Sequence, residues 1–251
     1  MQGLSKAPSA RETRAFYDEL SAGAVARGMW GMDNRFAVER IVASESVRKY
    51  FVDAVRPHIS PKDNVLDVGC GPGAFLAALA PNCGAITGAD ISGEFVNVCK
   101  RAIDRFGLDN AAVVQASCTE LPYPANYFDV VTLVDVLHHL DNIPDTIDEV
   151  RRVLKPGGRI IVFEPNKLNP LIYLLHALDP NERGLLAVGR RGIYAKLLGV
   201  GFTILESGFS GLVIGPESKA FYWCADRLSF GAMRRIAGWL NPKLIIVAEK
   251  N

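Results

Sequence analysis

The sequence predicts an α/β fold built on a doubly wound, mostly parallel sheet of seven strands. Three observations carry this. From residue 64 to about 164, apolar strand-like runs alternate with helical patterns, the sequence form of a parallel sheet covered on both faces. The run Asn64-Val-Leu-Asp-Val-Gly-Cys-Gly-Pro-Gly-Ala-Phe-Leu76 reads as a buried strand that turns through glycines into a helix. Beyond residue 200 the rhythm changes, with Phe202-Thr-Ile-Leu-Glu206 and Lys243-Leu-Ile-Ile-Val-Ala248 flanking a helical stretch from Glu217 to Trp239.

In chain order, Ala10 to Arg27 and Arg35 to Val55 read as helices separated by Gly28-Met-Trp-Gly-Met-Asp33. Residues 1–58 are therefore expected to form an N-terminal helical cover, and residues 59–251 the main domain. Strands are expected at 64–68, 85–90, 112–116, 129–135 and 159–164, because these runs are short, apolar and bounded by turn residues. Ala74 to Ala80 has helix-forming composition. Gly93 to Phe106 should be a helix ended by Gly107, and Ile143 to Leu154 another stopped by Lys155-Pro-Gly-Gly158.

With 251 residues, 49% of them apolar, the chain can bury one substantial core. Its 28 basic and 27 acidic residues leave a net charge of +1, so no global field draws it to nucleic acid or to an anionic membrane. A small-molecule partner is expected. The segment Met1 to Ala10 lacks an apolar signal core, and no stretch approaches the roughly 18 apolar residues of a membrane span. A cytoplasmic protein is the expectation. Cys70, Cys83, Cys99, Cys118 and Cys224 are odd in number and show no Cys-x-x-Cys spacing, which fits free thiols better than a disulfide or zinc framework.

The glycine run marks a nucleotide-like cofactor site. Gly69, Gly71 and Gly73 let the backbone turn tightly and approach a ligand, and Asp67 sits where the strand's carboxyl end opens into the crevice. Asp90 ends the next apolar run, Ala85-Ile-Thr-Gly-Ala-Asp90. By itself Gly69-x-Gly71-x-x-Ala74 also fits a relaxed dinucleotide fingerprint, and an acidic residue about 20 positions on serves ribose hydroxyls in either case. Three later landmarks separate the readings: Gln115-Ala-Ser-Cys-Thr-Glu-Leu-Pro122, then Tyr127-Phe-Asp-Val-Val-Thr-Leu-Val-Asp-Val-Leu-His-His-Leu140, then Val153-Leu-Lys-Pro-Gly-Gly-Arg-Ile-Ile-Val-Phe-Glu164. In this order, over residues 60–165, the chain resembles the class I S-adenosylmethionine-dependent methyltransferases.

That resemblance implies a Rossmann-like sheet with an antiparallel last strand, S-adenosylmethionine as donor and S-adenosylhomocysteine as product. It implies that the turn of Gly69, Cys70, Gly71 and Gly73 approaches the amino acid end of the cofactor through its amides. Asp67 would act through water on the ammonium or order the turn. Asp90 would accept both ribose hydroxyls, a two-acceptor task suited to a carboxylate, and Ile91 would pack on the adenine. Ser117 stands where the family usually has an acidic residue that reads the adenine amino group, with Cys118 offering a backbone amide. Asp135, at the end of the fourth strand, is the carboxylate expected near the sulfonium or the substrate. Tyr17 and Trp30 either close the site and exclude water or simply pack the cover onto the sheet.

Methyl transfer from a sulfonium needs nucleophile, methyl carbon and sulfur in line, so positioning and desolvation supply much of the catalysis. A base is required only for a protonated acceptor. His139, ahead of His138, is the candidate, since an imidazole with a reference pKa of about 6.5 accepts a hydroxyl proton. Glu164 is the alternative base or substrate orienter. O-methylation of a natural-product or sugar-type hydroxyl is the first expectation, with N- and C-methylation open. No metal is expected, although Asp135, Asp141, Asn142, Glu164 and Asn166 carry oxygen ligands. Arg190 and Arg191 either hold an anionic group of the acceptor or form a solvated helix end. The apolar stretch 171–178 lines an acceptor pocket, faces the core or makes a homodimer contact. Two rival readings are an NAD-dependent oxidoreductase and a catalytically silent cofactor-binding partner subunit.

Overall fold

The computed structural model describes residues 38–140, 142–178, 189–212, 219–229 and 233–251, together with Ala15. Its elements in chain order are α1 (Val38–Ala43), a helical run over 45–58, β1 (Asn64–Val68), α2 (Ala74–Leu79), β2 (Ala85–Asp90), α3 (Gly93–Phe106), β3 (Ala111–Gln115), β4 (Phe128–Val134), α4 (Ile143–Val153), β5 (Leu154–Pro165), α5 (Pro170–Leu178), α6 (Arg190–Gly199), β6 (Phe202–Ser210), α7 (Lys219–Ser229), α8 (Arg234–Ala237) and β7 (Lys243–Lys250). The seven strands form one sheet in the order β3-β2-β1-β4-β5-β7-β6. Neighbours from β3 to β5 run parallel, and β7 runs antiparallel to both β5 and β6. The expected mostly parallel sheet with an antiparallel last strand is what the chain forms.

Each strand supplies both faces of the sheet, because successive side chains point to opposite sides. Val65, Val130, Ile161 and Val247 join Phe51, Leu76 and Cys99 in one core. Leu66, Val131, Ile160 and Ile246 join Ile147, Val150 and Leu197 in the other. Burial on both faces is why these strands read as unbroken apolar runs. Local chemistry fixes the helix ends. Ser92 Oγ accepts from Phe95 N at 3.2 Å at the start of α3, and Gly107 closes that helix in the left-handed region. Asn142 Oδ1 caps α4 through Asp145 N at 3.2 Å.

Three boundaries depart from the sequence expectation. The helix expected over 35–55 breaks at Ser44, which is extended and accepts from Val47 N, and then includes a π-helical turn at Arg48–Val52 that buries the consecutive Tyr50, Phe51 and Val52. Strand β5 already begins at Leu154, paired with Phe128 across a bulge, so Lys155-Pro-Gly-Gly158 lies inside a strand and is not a helix stop. Strand β6 continues to Ser210 against β7. Apart from Ala15, the expected helix at 10–27, with Tyr17, and the linker carrying Trp30 lie outside the described residues, as does Asp141. Among the described residues, no helix is long and apolar enough to cross a membrane.

Candidate active site

The carboxyl ends of β1, β2, β4 and β5 meet along one rim, the place where an open parallel sheet leaves a crevice. At the end of β1 the chain enters a turn in which Gly69, Gly71 and Gly73 all have positive φ. A Cβ on Gly69 would stand 2.5 Å from Val136 Cγ2, so close packing demands glycine there. A Cβ on Gly71, by contrast, would meet nothing within 4 Å, so the turn presents an open face to the crevice.

The turn amides each have an acceptor within the protein. Gly69 N and Cys70 N donate to Ala89 O at 2.7 and 3.2 Å, Gly73 N donates to Cys70 O at 3.0 Å, and Gly71 N donates to Asp90 Oδ2 at 2.8 Å. Asp90 also accepts from Ser92 N at 2.9 Å through its other oxygen. It therefore ties the end of β2 to the glycine turn. Ile91 is half-buried beside it, and Gln115 Nε2 donates to its carbonyl at 3.0 Å.

Asp67 is buried and accepts a 2.7 Å hydrogen bond from Thr132 Oγ1. Burial pushes its carboxyl up from the ordinary value of 3.8 to about 7, with the nearby Asp90 charge adding to the rise and the Thr132 hydroxyl opposing it. Thr132 is a residue that sequence reasoning missed; its signal is a lone hydroxyl in the apolar run Val130-Val-Thr-Leu133. Ser117 Oγ lies 2.8 Å from Thr119 Oγ1 and accepts from Thr119 N, which folds the segment into a small turn. The Cys118 thiol sits 3.3 Å from Thr146 Oγ1, and burial raises its pKa.

Past β4, Asp135 takes a left-handed conformation at φ 58 and forms an ion pair with Lys243 at the start of β7. Its charge is thus met within the protein, at the end of the fourth strand where a carboxylate near the sulfonium or the substrate is expected. Lys243 was also missed, and its signal is only its place at the mouth of the last strand. The next residues form a 3-10 turn, Leu137–His139, fixed from below by Glu164. Glu164 Oε1 accepts from Val136 N and Leu137 N at 3.0 and 2.8 Å, and its Oε2 lies 2.6 Å from His138 Nδ1. Both side chains of this pair are about 1% exposed. Glu164, expected at the mouth of the fifth strand as base or substrate orienter, lies at the end of β5 as an anchored carboxylate that holds the turn. His138 is likewise a buried ring in that support. His139 stays half-buried, its ring 3.9 Å from the ring of His138. The buried His176 of α5, a residue the sequence reading did not single out, brings its ring to 6.0 Å from His138.

Other candidates stand elsewhere. Asn166 Nδ2 donates to the carbonyls of Trp239 and Asn241, which fixes the loop before β7. No group of three or more His, Cys, Asp or Glu side chains with metal-ligand geometry occurs among the described residues. Arg190 and Arg191 are exposed at the start of α6, with the Arg190 guanidinium 5.6 Å from the Tyr194 ring centre. Leu171, Leu174 and Leu178 of the apolar stretch 171–178 are exposed, so they do not face the core.

Residues 66–162 match the family model described as a methyltransferase domain. The demethylmenaquinone methyltransferase of Symbiobacterium thermophilum is 33% identical over 141 residues, covering 54% of this chain and 56% of that protein. The ubiquinone biosynthesis O-methyltransferase of Nitrosomonas europaea is 29% identical over 193 residues, covering 72% of this chain and 79% of that protein. The chain spans about half the length of the first curated relatives it matches. Among solved structures, the [4+2]-cyclase SpnF aligns with a TM-score of 0.62 at 22% identity, over 100% of this chain and 99% of that one. A geranyl diphosphate methyltransferase in complex with GPP and sinefungin aligns with a TM-score of 0.62 at 14% identity, over 96% and 99%. Residues 66–162 are a class I S-adenosylmethionine-dependent methyltransferase domain. The residues on the rim suit that donor, because an open glycine face and the buried Asp67 and Asp90 match a ligand that carries cationic groups and vicinal hydroxyls.

Proposed function

We propose that this chain transfers the methyl group of S-adenosylmethionine to a small organic acceptor that must lose a proton, with a hydroxyl as the first choice of acceptor. The observation that carries this is the His138–Glu164 pair supporting the half-open His139 at the end of β4. When bound, the cofactor supplies an electrophilic methyl group on a positively charged sulfur. The chain's own residues do the rest. Asp90 accepts the ribose hydroxyls while still holding Gly71, Ile91 packs the adenine, and Cys118 and Ser117 flank it. Asp67 offers a negative charge to the ammonium once its proton leaves. Glu164 and His138 act as positioning residues, and His139 is the group that takes the acceptor's proton. Residues 1–58, Tyr17 among them, are proposed as the cover that excludes water.

A second reading is methylation of a ring carbon, favoured by a relative from Ectopseudomonas mendocina that is named a ubiquinone/menaquinone biosynthesis C-methyltransferase. It needs the same base, since loss of a phenolic proton activates both the oxygen and the adjacent ring carbon. The test is release of S-adenosylhomocysteine with a panel of quinols, phenols and sugars, followed by mass spectrometry of the product to locate the methyl. Turnover that falls about 100-fold in His139→Ala, with cofactor affinity kept, is expected. Cofactor binding without turnover on any acceptor, alone or with added cell extract, would favour the silent partner subunit, and NAD binding in place of S-adenosylhomocysteine would overturn the reading.

A further inference from the structure

The outer face of α5 and the helices ahead of β7 present an apolar surface that is exposed among the described residues. Leu171, Leu174 and Leu178 stand at i, i+3 and i+7 on α5, one stripe of the helix, and are 62%, 53% and 60% exposed. The other side of the same helix carries the buried His176, whose ring meets His138. Trp223 on α7, Ile236 on α8 and Trp239 just beyond it are also exposed. The two patches adjoin, because Asn166 and Asn169 on the α5 side donate to the carbonyls of Trp239 and Leu240. Nine of the twelve large exposed hydrophobic residues among those described fall in 168–178 and 223–239, a concentration that scattered surface residues do not produce.

Charge decides what fits there. Among the described side chains of segments 166–178 and 219–240, Lys167 and Arg227 are basic and Asp226 is the one acidic residue. Asp226 is held by Lys49 at 2.5 Å and Tyr50 at 2.6 Å. The Arg227 guanidinium lies 4.3 Å from the ring centre of Trp223, a pairing of apolar body and cation suited to a headgroup region. A second copy docking through this face would set the same basic excess against itself. We propose that this face docks on an anionic lipid bilayer, lying along it, with α5 as the wall between the lipid and the His138–His139 turn. At nine residues α5 is far too short to cross the roughly 30 Å hydrocarbon core. On the methyl-transfer reading, which this step rests on, the acceptor is then a lipid with a long apolar tail and a polar head, drawn from the bilayer alongside α5.

Co-sedimentation of the full chain with phosphatidylcholine vesicles, with and without about 30 mol% phosphatidylglycerol, tests the docking. The expected result is binding to the anionic vesicles that weakens as salt rises. The double variant Leu171→Glu, Leu174→Glu should lose at least about 10-fold in vesicle affinity, since two charges then stand in the buried stripe. Calorimetric binding of S-adenosylhomocysteine should not change in that variant, which also reports that it is folded. No vesicle binding by the native chain, equal binding by the variant, or a concentration-dependent dimer that the variant splits would each overturn the proposal. Vesicle binding that the variant abolishes, in a chain that binds no S-adenosylhomocysteine, would uphold the docking and sink the methyl-transfer reading alone.

Discussion

The two ends of the crevice hold a buried carboxylate each, and they hold it on opposite terms. On the β1–β2 side, Asp67 accepts a hydroxyl from Thr132, and burial lifts its carboxyl to about 7. On the β4–β5 side, Glu164 collects two backbone amides and His138. One carboxylate is held ready to change its charge, the other is locked in place. A donor with fixed cationic groups suits the first arrangement, since an incoming positive charge favours the ionised acid. A turn that must hold a reactive ring in one orientation suits the second.

Removing the locked carboxylate should have the largest effect. Glu164→Ala leaves two buried amides and His138 without their partner and should cost about 3–5 kcal/mol of stability, read by urea denaturation. Glu164→Gln sharpens the comparison, because its amide oxygen still accepts from Val136 and Leu137. It should retain most of that stability yet lower turnover, as its NH2 group forces His138 Nδ1 to act as an acceptor. If Glu164→Ala unfolds no more readily than the native chain, the lock is not structural.

Asp67 should behave in the reverse manner. Its folded carboxyl titrates near 7 and its unfolded one near 3.8, so between these values the folded state keeps a proton the unfolded chain has released. The corresponding stability is fully present below 3.8 and is lost as pH rises through 7. Asp67→Asn, which carries no charge to bury, should therefore gain on the native chain by a few kcal/mol at pH 8 and by little at pH 4, at about 1.4 kcal/mol per pKa unit. The same variant should bind S-adenosylhomocysteine more weakly, and the native chain should bind it better as pH rises from 6 to 8, with release of a proton. Equal pH profiles for native chain and variant would break the comparison.

Asp90 belongs to the first side but does a structural task as well, so its loss should be intermediate. Asp90→Ala should weaken S-adenosylhomocysteine binding by more than about 1 kcal/mol through lost charge-assisted hydrogen bonds, measured by calorimetry. It also frees Gly71 N and Ser92 N, so a small loss of thermal stability should accompany it. Unchanged affinity would remove Asp90 from the ribose assignment.

The same division governs what could be read from the sequence. The β1–β2 side is written in backbone requirements: a turn that packs against Val136 demands Gly69, and a strand end that ties to the turn demands Asp90, so short motifs record both. The β4–β5 side is written in contacts between distant segments. His176 lies on an apolar helix and reaches His138 only through the fold, and Lys243 reaches Asp135 across 108 positions. Neither leaves a local pattern. Element boundaries failed for a related reason. Ser44 interrupts a helical periodicity through its own side chain, and Leu154 leaves the helix because pairing with Phe128 outweighs the pattern that continues through it.

The smallest effect should come from the residue where this chain departs from the family it resembles. Ser117 stands at the place of an acidic residue, and its hydroxyl is already shared with Thr119 Oγ1 and Thr119 N. An aspartate there can still accept from Thr119 N, as Asp does in comparable turns, while its second oxygen remains for the adenine amino group. Ser117→Asp should therefore tighten S-adenosylhomocysteine binding by about 0.5–1.5 kcal/mol, the net worth of one added hydrogen bond. Affinity for sinefungin, which shares the adenine, should rise by the same factor, whereas free methionine should not compete better. If the gain were absent for both nucleosides, the adenine would lie away from the Ser117 turn, and only the ribose end of the first side would keep its assignment.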